Sequence, residues 1–274
     1  MNFLSKPFKG ERQTVYARNG GVATSQPLAA NAGLEILKKG GNAVDAAIAT
    51  AATLTVVEPT SNGIGGDAFA IVWMNGEMHG LNSSGPAPQS LTIDAVKSLG
   101  HDKMPVHGLV PITVPGVPAA WAALSEKFGR LPLSEVLAPA IRYAEEGYPL
   151  SPVLGHFWRL SYSKFKETFK EAHYKEWFNV FAPNDRAPEV GEMWYAPDHA
   201  KTLRAIAETN AEDFYRGETA QKIDAYMKEH GGFLSAEDLA AYKPEWVKPV
   251  SVNYRGYDVW ENLPNGHGMV ATMA

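Results

Sequence analysis

The chain has 274 residues and no cysteine, and its 25 lysines and arginines against 30 aspartates and glutamates give a net charge of −5 at pH 7. This length is ample for a hydrophobic core and predicts one or two domains. The lack of cysteine excludes disulfides, thiolate zinc sites, iron–sulfur clusters and a cysteine nucleophile. The acidic balance argues against binding to nucleic-acid phosphates.

The first predicted element is a helix over residues 26–39. Its apolar residues recur at helical spacing from Leu28 to Leu37, and Gly40 with Gly41 provides the stop. A second helix is predicted to start at once, with Asn42 as its N-cap and Asp45 in its first turn.

The second helix contains the longest apolar run, the fifteen residues 43–57. A membrane span needs about 20 residues, so we predict a buried helix that is covered on several sides. Residues 68–73 follow as a continuous apolar run with β-type residues, and Asn75–Gly76 is a strong hairpin turn signal. With a return strand at 78–83, they predict a buried hairpin in an antiparallel sheet covered by helices, a layered α/β arrangement.

Further elements are predicted from the same patterns. Ser235 to Asp238 resembles a capping box and opens a short helix through Tyr242. Residues 250–260 alternate as a strand pair around Arg255–Gly256. The remaining helices are predicted at 116–128, 133–147, 153–178, 197–208 and 218–230.

The predicted helix at 153–178 interleaves aromatic and basic residues. This composition also occurs in proteins that bind single-stranded nucleic acid. However, Trp158, Tyr162, Phe165 and Phe169 recur every three or four residues, as on one face of an amphipathic helix. We therefore favour core packing with a solvated basic face, and we predict no nucleic-acid partner.

The glycine-rich segment Gly63-Ile-Gly65-Gly66-Asp67-Ala68 loosely fits a dinucleotide fingerprint. That fingerprint needs a strand before it and a helix after it, whereas here the order is reversed. We interpret Gly65 and Gly66 as part of a tight turn near a site, where glycine supplies a positive φ or allows close packing.

Other common catalytic signatures do not occur in the sequence. It contains neither the serine-hydrolase elbow nor the P-loop motif. Its eight histidines are scattered without metal-ligand spacing, so no metal is predicted. Ser83 and Ser84 close the return strand, where small hydroxyls either line a pocket or simply end a strand.

The order of local motifs resembles the γ-glutamyltransferase family over roughly residues 12 to 274. The segment Gly-Gly-Asn-Ala-Val-Asp-Ala-Ala at 40–47 is the most specific of them. Each of the others is a weaker signal by itself, but they occur in the same order as in the family. They are Gly20-Gly-Val-Ala23, Pro59, the glycine turn, Pro115-Gly-Val-Pro118, Phe214-Tyr-Arg-Gly217, Asp238-Leu-Ala-Ala-Tyr242, Tyr254-Arg-Gly-Tyr257 and Pro264-Asn-Gly.

The resemblance implies an N-terminal-nucleophile hydrolase of α+β class, an αββα sandwich that is truncated here and carries a helix-rich lobe. In that family a precursor cuts itself into a large and a small subunit, and the new N-terminal threonine of the small subunit is the nucleophile. Residues 1–274 are then most of the large subunit, the nucleophile is expected beyond Ala274, and the chain alone is expected to be inactive. The implied partners are its own small subunit and a small γ-glutamyl or related acyl amide, without a cofactor.

One departure from the family concerns the substrate. The transpeptidases carry an arginine before an Ala-Pro, where it binds the α-carboxylate of the glutamyl group. Alignment on Ala87-Pro88 puts Ser84 at that position, and the alternative position two residues later holds Pro86. Ser84, with Ser83, is therefore the predicted substrate-binding group, and it can donate a hydrogen bond to a carboxylate but cannot neutralise it.

This departure keeps alternatives to a transpeptidase open. One is an amidohydrolase similar to the cephalosporin (glutaryl) acylases, and another is a non-catalytic paralogue that retains the fold as a binding module. The first nine residues lack a long apolar segment, so we expect no signal peptide and a cytoplasmic protein without a membrane partner.

Overall fold

A computed structural model describes residues 15–263 and 265–273. Its helices are α1 (Pro27–Lys38), α2 (Ala43–Val57), α3 (Ile93–Ser98), α4 (Val117–Phe128), α5 (Leu133–Glu146), α6 (Pro152–Thr168), α7 (Lys175–Phe181), α8 (Pro197–Thr209), α9 (Glu212–Arg216), α10 (Glu218–His230), α11 (Ala236–Ala241) and α12 (Gly268–Met273). Its strands are β1 (Ala68–Met74), β2 (Glu77–Ser83), β3 (Tyr148–Pro149), β4 (Met193–Trp194), β5 (Glu245–Val247), β6 (Val250–Tyr254) and β7 (Tyr257–Glu261).

The predicted start of α2 is confirmed. The Asn42 side chain accepts hydrogen bonds from the backbone N–H groups of Val44 and Asp45, and the Asp45 carboxylate accepts one from Asn42 N in return. Asp45 is fully buried and also accepts from Arg130 N. This capping box therefore satisfies donors at the helix start and connects it to the turn after α4.

The core of the described chain lies among the helices. α2 is buried along most of its length and packs on α1 and α5, and α5 packs on α8. Fully enclosed aliphatic side chains from each helix meet there, among them Ile36, Ile48, Leu137 and Leu203. The predicted covering of α2 on several sides is confirmed.

The predicted hairpin is confirmed, with Ala68 opposite Ser83 and Met74 opposite Glu77. Asn75 and Gly76 have φ of 54° and 83°, as a two-residue hairpin turn requires. β5 pairs with the other edge of β2, giving a three-stranded antiparallel sheet in the order β1-β2-β5.

The prediction that this hairpin is buried is wrong for one face of β1. Phe69, Ile71 and Trp73 are 43, 41 and 63% exposed, whereas the alternate residues of the strand pack against the helical core. A continuous apolar run does not distinguish a strand that is covered on both faces from a strand that is covered on one face. Within the described residues, β1 is covered on one face.

The predicted helix at 153–178 is not continuous. α6 ends at Thr168, Phe169 adopts an extended backbone, and a short 3-10 turn precedes α7. The aromatic residues form a cluster, in which the Phe169 ring stacks on that of Tyr174 with centroids 3.9 Å apart. Trp158 is buried as predicted, but Tyr162, Phe165 and Phe169 are only partly buried.

The other elements that were predicted from the sequence agree with the structure, whereas α3, α9, β3, β4 and β5 were not predicted. β6 and β7 pair around Arg255 and Gly256, which both have positive φ, and Ser235 with Asp238 forms the capping box of α11. The described chain is thus of mixed α+β class. Within the same ranges every helix is too short or too polar to cross a lipid bilayer. The first nine residues lie outside these ranges, so the expected location stays a prediction.

Candidate functional site

A cavity of about 590 Å³ lies where β2 ends, beside the start of β5. Loop residues after β2, the end of α11 and the approach to β5 form its wall. The lining residues are Asn82, Ser84, Gly85, Pro86, Ala87, Gln89, Val114, Asp238, Ala241, Tyr242, Lys243, Glu245 and Asn265.

Ser84 lines this cavity and is held by two amide side chains. Its hydroxyl oxygen accepts a hydrogen bond from Asn265 Nδ2 at 2.8 Å, and its backbone N–H donates to Asn82 Oδ1 at 3.1 Å. Asn82 Nδ2 in turn donates to Asn265 Oδ1 at 3.1 Å. Because the Ser84 oxygen is already an acceptor, its hydroxyl proton can be donated to a ligand in the cavity.

Ser83 lies behind the wall rather than in it. The side chain is fully buried, and its hydroxyl donates to Gly116 O at 2.7 Å and lies 2.9 Å from the Tyr242 hydroxyl. Burial raises the pKa of Tyr242, although its hydrogen bonds with Ser83 and Gly85 N–H act in the opposite direction. These contacts fix the strand end from which Ser84 projects, and the predicted contact of Ser83 with substrate stays a prediction.

The glycine turn reaches the site through Gly116. Gly66 N donates to Gly63 O, and Gly66 O accepts from Gly116 N at 2.8 Å and Val117 N at 3.2 Å. The turn is therefore present and adjoins the strand end, but Gly65 and Gly66 are absent from the cavity lining described above. Neither has a positive φ, so the first of the two predicted reasons for these glycines is wrong, and their predicted role near a site stays a prediction.

Three charged residues of the cavity were not predicted from the sequence as site residues. Asp238 was recognised only as a helix cap and as the first residue of a family motif, and Lys243 and Glu245 belong to no motif. Burial of Asp238 opposes its ionisation, but hydrogen bonds from Gln89 N and from the N–H and hydroxyl of Ser235 outweigh this and lower its pKa. Only the pairing of β5 with β2 brings Lys243 and Glu245 to Ser84, and the sequence holds no local signal for that contact.

No group of three histidine, aspartate or glutamate side chains in residues 15–263 and 265–273 is arranged to hold a metal ion.

Comparison with known proteins defines the class of protein. Residues 29–274 match the profile of the family described as gamma-glutamyltranspeptidase. The glutathione hydrolase-like YwrD proenzyme of Bacillus subtilis is 35% identical over 255 residues, which are 92% of this chain and 47% of the relative. The chain belongs to the γ-glutamyltranspeptidase family.

Solved structures agree with this assignment. A cephalosporin acylase from Bacillus halodurans superposes with a TM-score of 0.95 at 60% identity, covering 97% of this chain and 50% of that one. The γ-glutamyltranspeptidase of Helicobacter pylori superposes with a TM-score of 0.85 at 33% identity, covering 93% and 73%. The chain thus spans about half the length of the first curated relatives that it matches.

Proposed function

We propose that the complete protein cleaves the amide bond of a γ-glutamyl or related acyl amide and passes the acyl group to water or to an amine. The observation that carries this proposal is the cavity at the end of β2. Ser84 lines this cavity in a chain of that family, and the resemblance places at its position the arginine with which the transpeptidases bind a carboxylate.

The chemistry would use a nucleophile outside this chain. The α-amine of an N-terminal threonine, with a pKa near 8, would accept the proton of the threonine hydroxyl as its oxygen attacks the amide carbonyl. Hydrogen-bond donors would stabilise the tetrahedral oxyanion, and the proton would leave with the amine. Water or an acceptor amine would then attack the threonine ester, which releases the acyl group and regenerates the hydroxyl.

We propose further that residues 1–274 are most of a large subunit and that a small subunit completes an αββα sandwich. Two observations support this arrangement. The chain spans about half of relatives that are called proenzymes, and β1 presents Phe69, Ile71 and Trp73 on an exposed apolar face. Covering this face would be favourable by about 25 cal/mol for each Å² of apolar surface removed from water.

A glutaryl-directed acylase is the second candidate. The 60% identity to the cephalosporin acylase supports it, as does the serine at position 84, where the resemblance places an arginine in the transpeptidases. Both candidates share the amide chemistry and differ in the acyl group.

The proposal is tested on protein expressed from the complete reading frame, by intact mass and a denaturing gel over time. We expect two fragments, the smaller beginning with threonine, and hydrolysis of γ-glutamyl or glutaryl p-nitroanilide. Replacement of that threonine by alanine should abolish hydrolysis. A single stable chain without hydrolysis would instead indicate a non-catalytic paralogue and would overturn the proposal.

A further inference from the structure

The cavity that lacks the family's arginine nevertheless contains a cationic side chain. Lys243 is the one lysine or arginine among the described residues that line it. It stands between Tyr242, directly after α11, and Pro244, directly before β5.

The backbone that carries Lys243 is fixed on both sides. On one side, the Tyr242 hydroxyl contacts Ser83 and Gly85 N–H behind the wall of the cavity. On the other, Glu245 pairs with Asn82 in the β2–β5 ladder. Pro244 restricts the backbone between these two anchors. Lys243 is thereby attached next to the strand end that carries Ser84.

The ammonium group of Lys243 has no carboxylate partner within residues 15–263 and 265–273. Other lysines of the same ranges do form ion pairs, for example Lys166 with Asp185 at 2.9 Å and Lys228 with Asp224 at 2.6 Å. Asp238 lines the cavity too, but its oxygens are occupied by donors from Gln89 and Ser235. The cation is therefore available to a ligand.

We infer that Lys243 determines acyl specificity, because its ammonium binds the terminal carboxylate of the acyl group while the Ser84 hydroxyl donates a hydrogen bond to the same carboxylate. This inference rests on the proposed function and names the substrate class, an acyl group that ends in a carboxylate. A compact ammonium neutralises such a group as a point charge, without the fixed bidentate geometry of arginine.

Glu245 gives the inference a second, opposite consequence. It lines the same cavity, two residues after Lys243, and its side chain is exposed. Its negative charge opposes the approach of a carboxylate. Removal of that charge should therefore strengthen the binding that removal of the Lys243 charge weakens.

The experiment uses the complete processed protein and two matched substrates, glutaryl p-nitroanilide and pentanoyl p-nitroanilide, which differ in the terminal carboxylate. For K243Q we expect kcat/KM for the glutaryl substrate to fall about tenfold, mainly through KM, as for the loss of one charge-assisted hydrogen bond. The pentanoyl substrate should change less than twofold. K243R should retain most of the glutaryl activity, and E245Q should raise it. K248Q is the control, because Lys248 is exposed and lies outside the cavity lining.

An equal loss for both substrates in K243Q, or an unchanged glutaryl activity, would overturn the inference. Binding of free glutarate, measured by calorimetry, tests the role of Lys243 independently of the proposed function. Protein that cleaves neither amide yet binds glutarate, and loses this binding in K243Q but not in K248Q, would refute the activity and support the carboxylate site. Glutarate binding that K243Q leaves unchanged would refute the site whether or not the amides are cleaved.

Discussion

At the scale of single residues, the backbone behind the cavity wall is packed so closely at Gly116 that it leaves no room for a side chain. A Cβ at Gly116 would lie 1.8 Å from the carbonyl oxygen of Ser83, a distance that only movement of β2 or of the start of α4 can relieve. We expect Gly116→Ala to lower the free energy of unfolding by about 3 kcal/mol. Urea denaturation with an unchanged m-value measures this loss.

Gly65 provides the control for that substitution in the neighbouring turn. A Cβ there meets no heavy atom within 4 Å, and its φ is not positive. Gly65→Ala should leave the free energy of unfolding within about 1 kcal/mol of the parent. Equal losses at the two positions would show that the close approach of Gly116 to Ser83 does not determine the effect.

Single residues also show how much of the site could be predicted from the sequence. Ser84 was found because a motif fixes its position relative to Ala87–Pro88, and the structure places it in the cavity. Lys243 was not found, because its proximity to Ser84 depends on the pairing of Asn82 with Glu245, residues 163 positions apart. Contacts across such separations leave no pattern in a single sequence.

At the scale of elements, the start of α2 depends on one side chain. Asn42 accepts from two backbone donors of the first turn and donates from Nδ2 to Phe128 O at 2.5 Å. Asn42→Ala should therefore reduce the free energy of unfolding by about 2 kcal/mol, at the upper end for a lost N-cap. Thermal or urea unfolding of the purified protein measures the change.

Thr92→Ala is the matched comparison. Thr92 caps the six-residue helix α3 through a single bond to Ala95 N, and that bond is exposed. Its loss should cost no more than about 1 kcal/mol. A loss at Thr92 as large as that at Asn42 would contradict the importance assigned to the buried contacts of the α2 start.

Elements with local signals were predicted well, and those that depend on distant contacts were not. Asn75–Gly76 determines its own turn, and Asn42 with Asp45 determines its own cap, so both were predicted correctly. The break after Thr168 was missed, because the aromatic spacing continues through it. There the Tyr226 hydroxyl donates to His173 O, a contact from α10 that supports the non-helical path.

At the scale of the whole molecule, His199 connects the core helices in a way that depends on pH. It lies in α8, and its Nε2 is 3.0 Å from Thr55 Oγ1 of α2. The Thr55 hydroxyl already donates to Ala52 O at 2.7 Å, so the imidazole is the donor in this contact. Burial lowers the pKa of His199 from 6.5 to about 4, because the charged form loses its hydration there.

The sign of the resulting pH dependence follows from this depressed pKa. Above pH 6.5 His199 is neutral in both the folded and the unfolded chain, and its contribution to stability is complete. Between pH 6.5 and about 4 the unfolded chain binds a proton that the folded chain does not. The free energy of unfolding therefore decreases as the pH is lowered through this range. The total loss is at most roughly 3 to 4 kcal/mol, at about 1.4 kcal/mol for each pKa unit.

His199→Gln isolates this contribution, because glutamine keeps an N–H donor for Thr55 but does not titrate. Urea midpoints at pH 8, 6 and 5 should fall more steeply for the parent than for the variant. Carboxylates such as Glu35, whose pKa is lowered chiefly by its hydrogen bond with Arg142, lose their contribution at lower pH in both proteins and cancel in the difference. Parallel pH profiles would mean that protonation of His199 does not oppose folding, and the contact between α2 and α8 would then tolerate the charged imidazole.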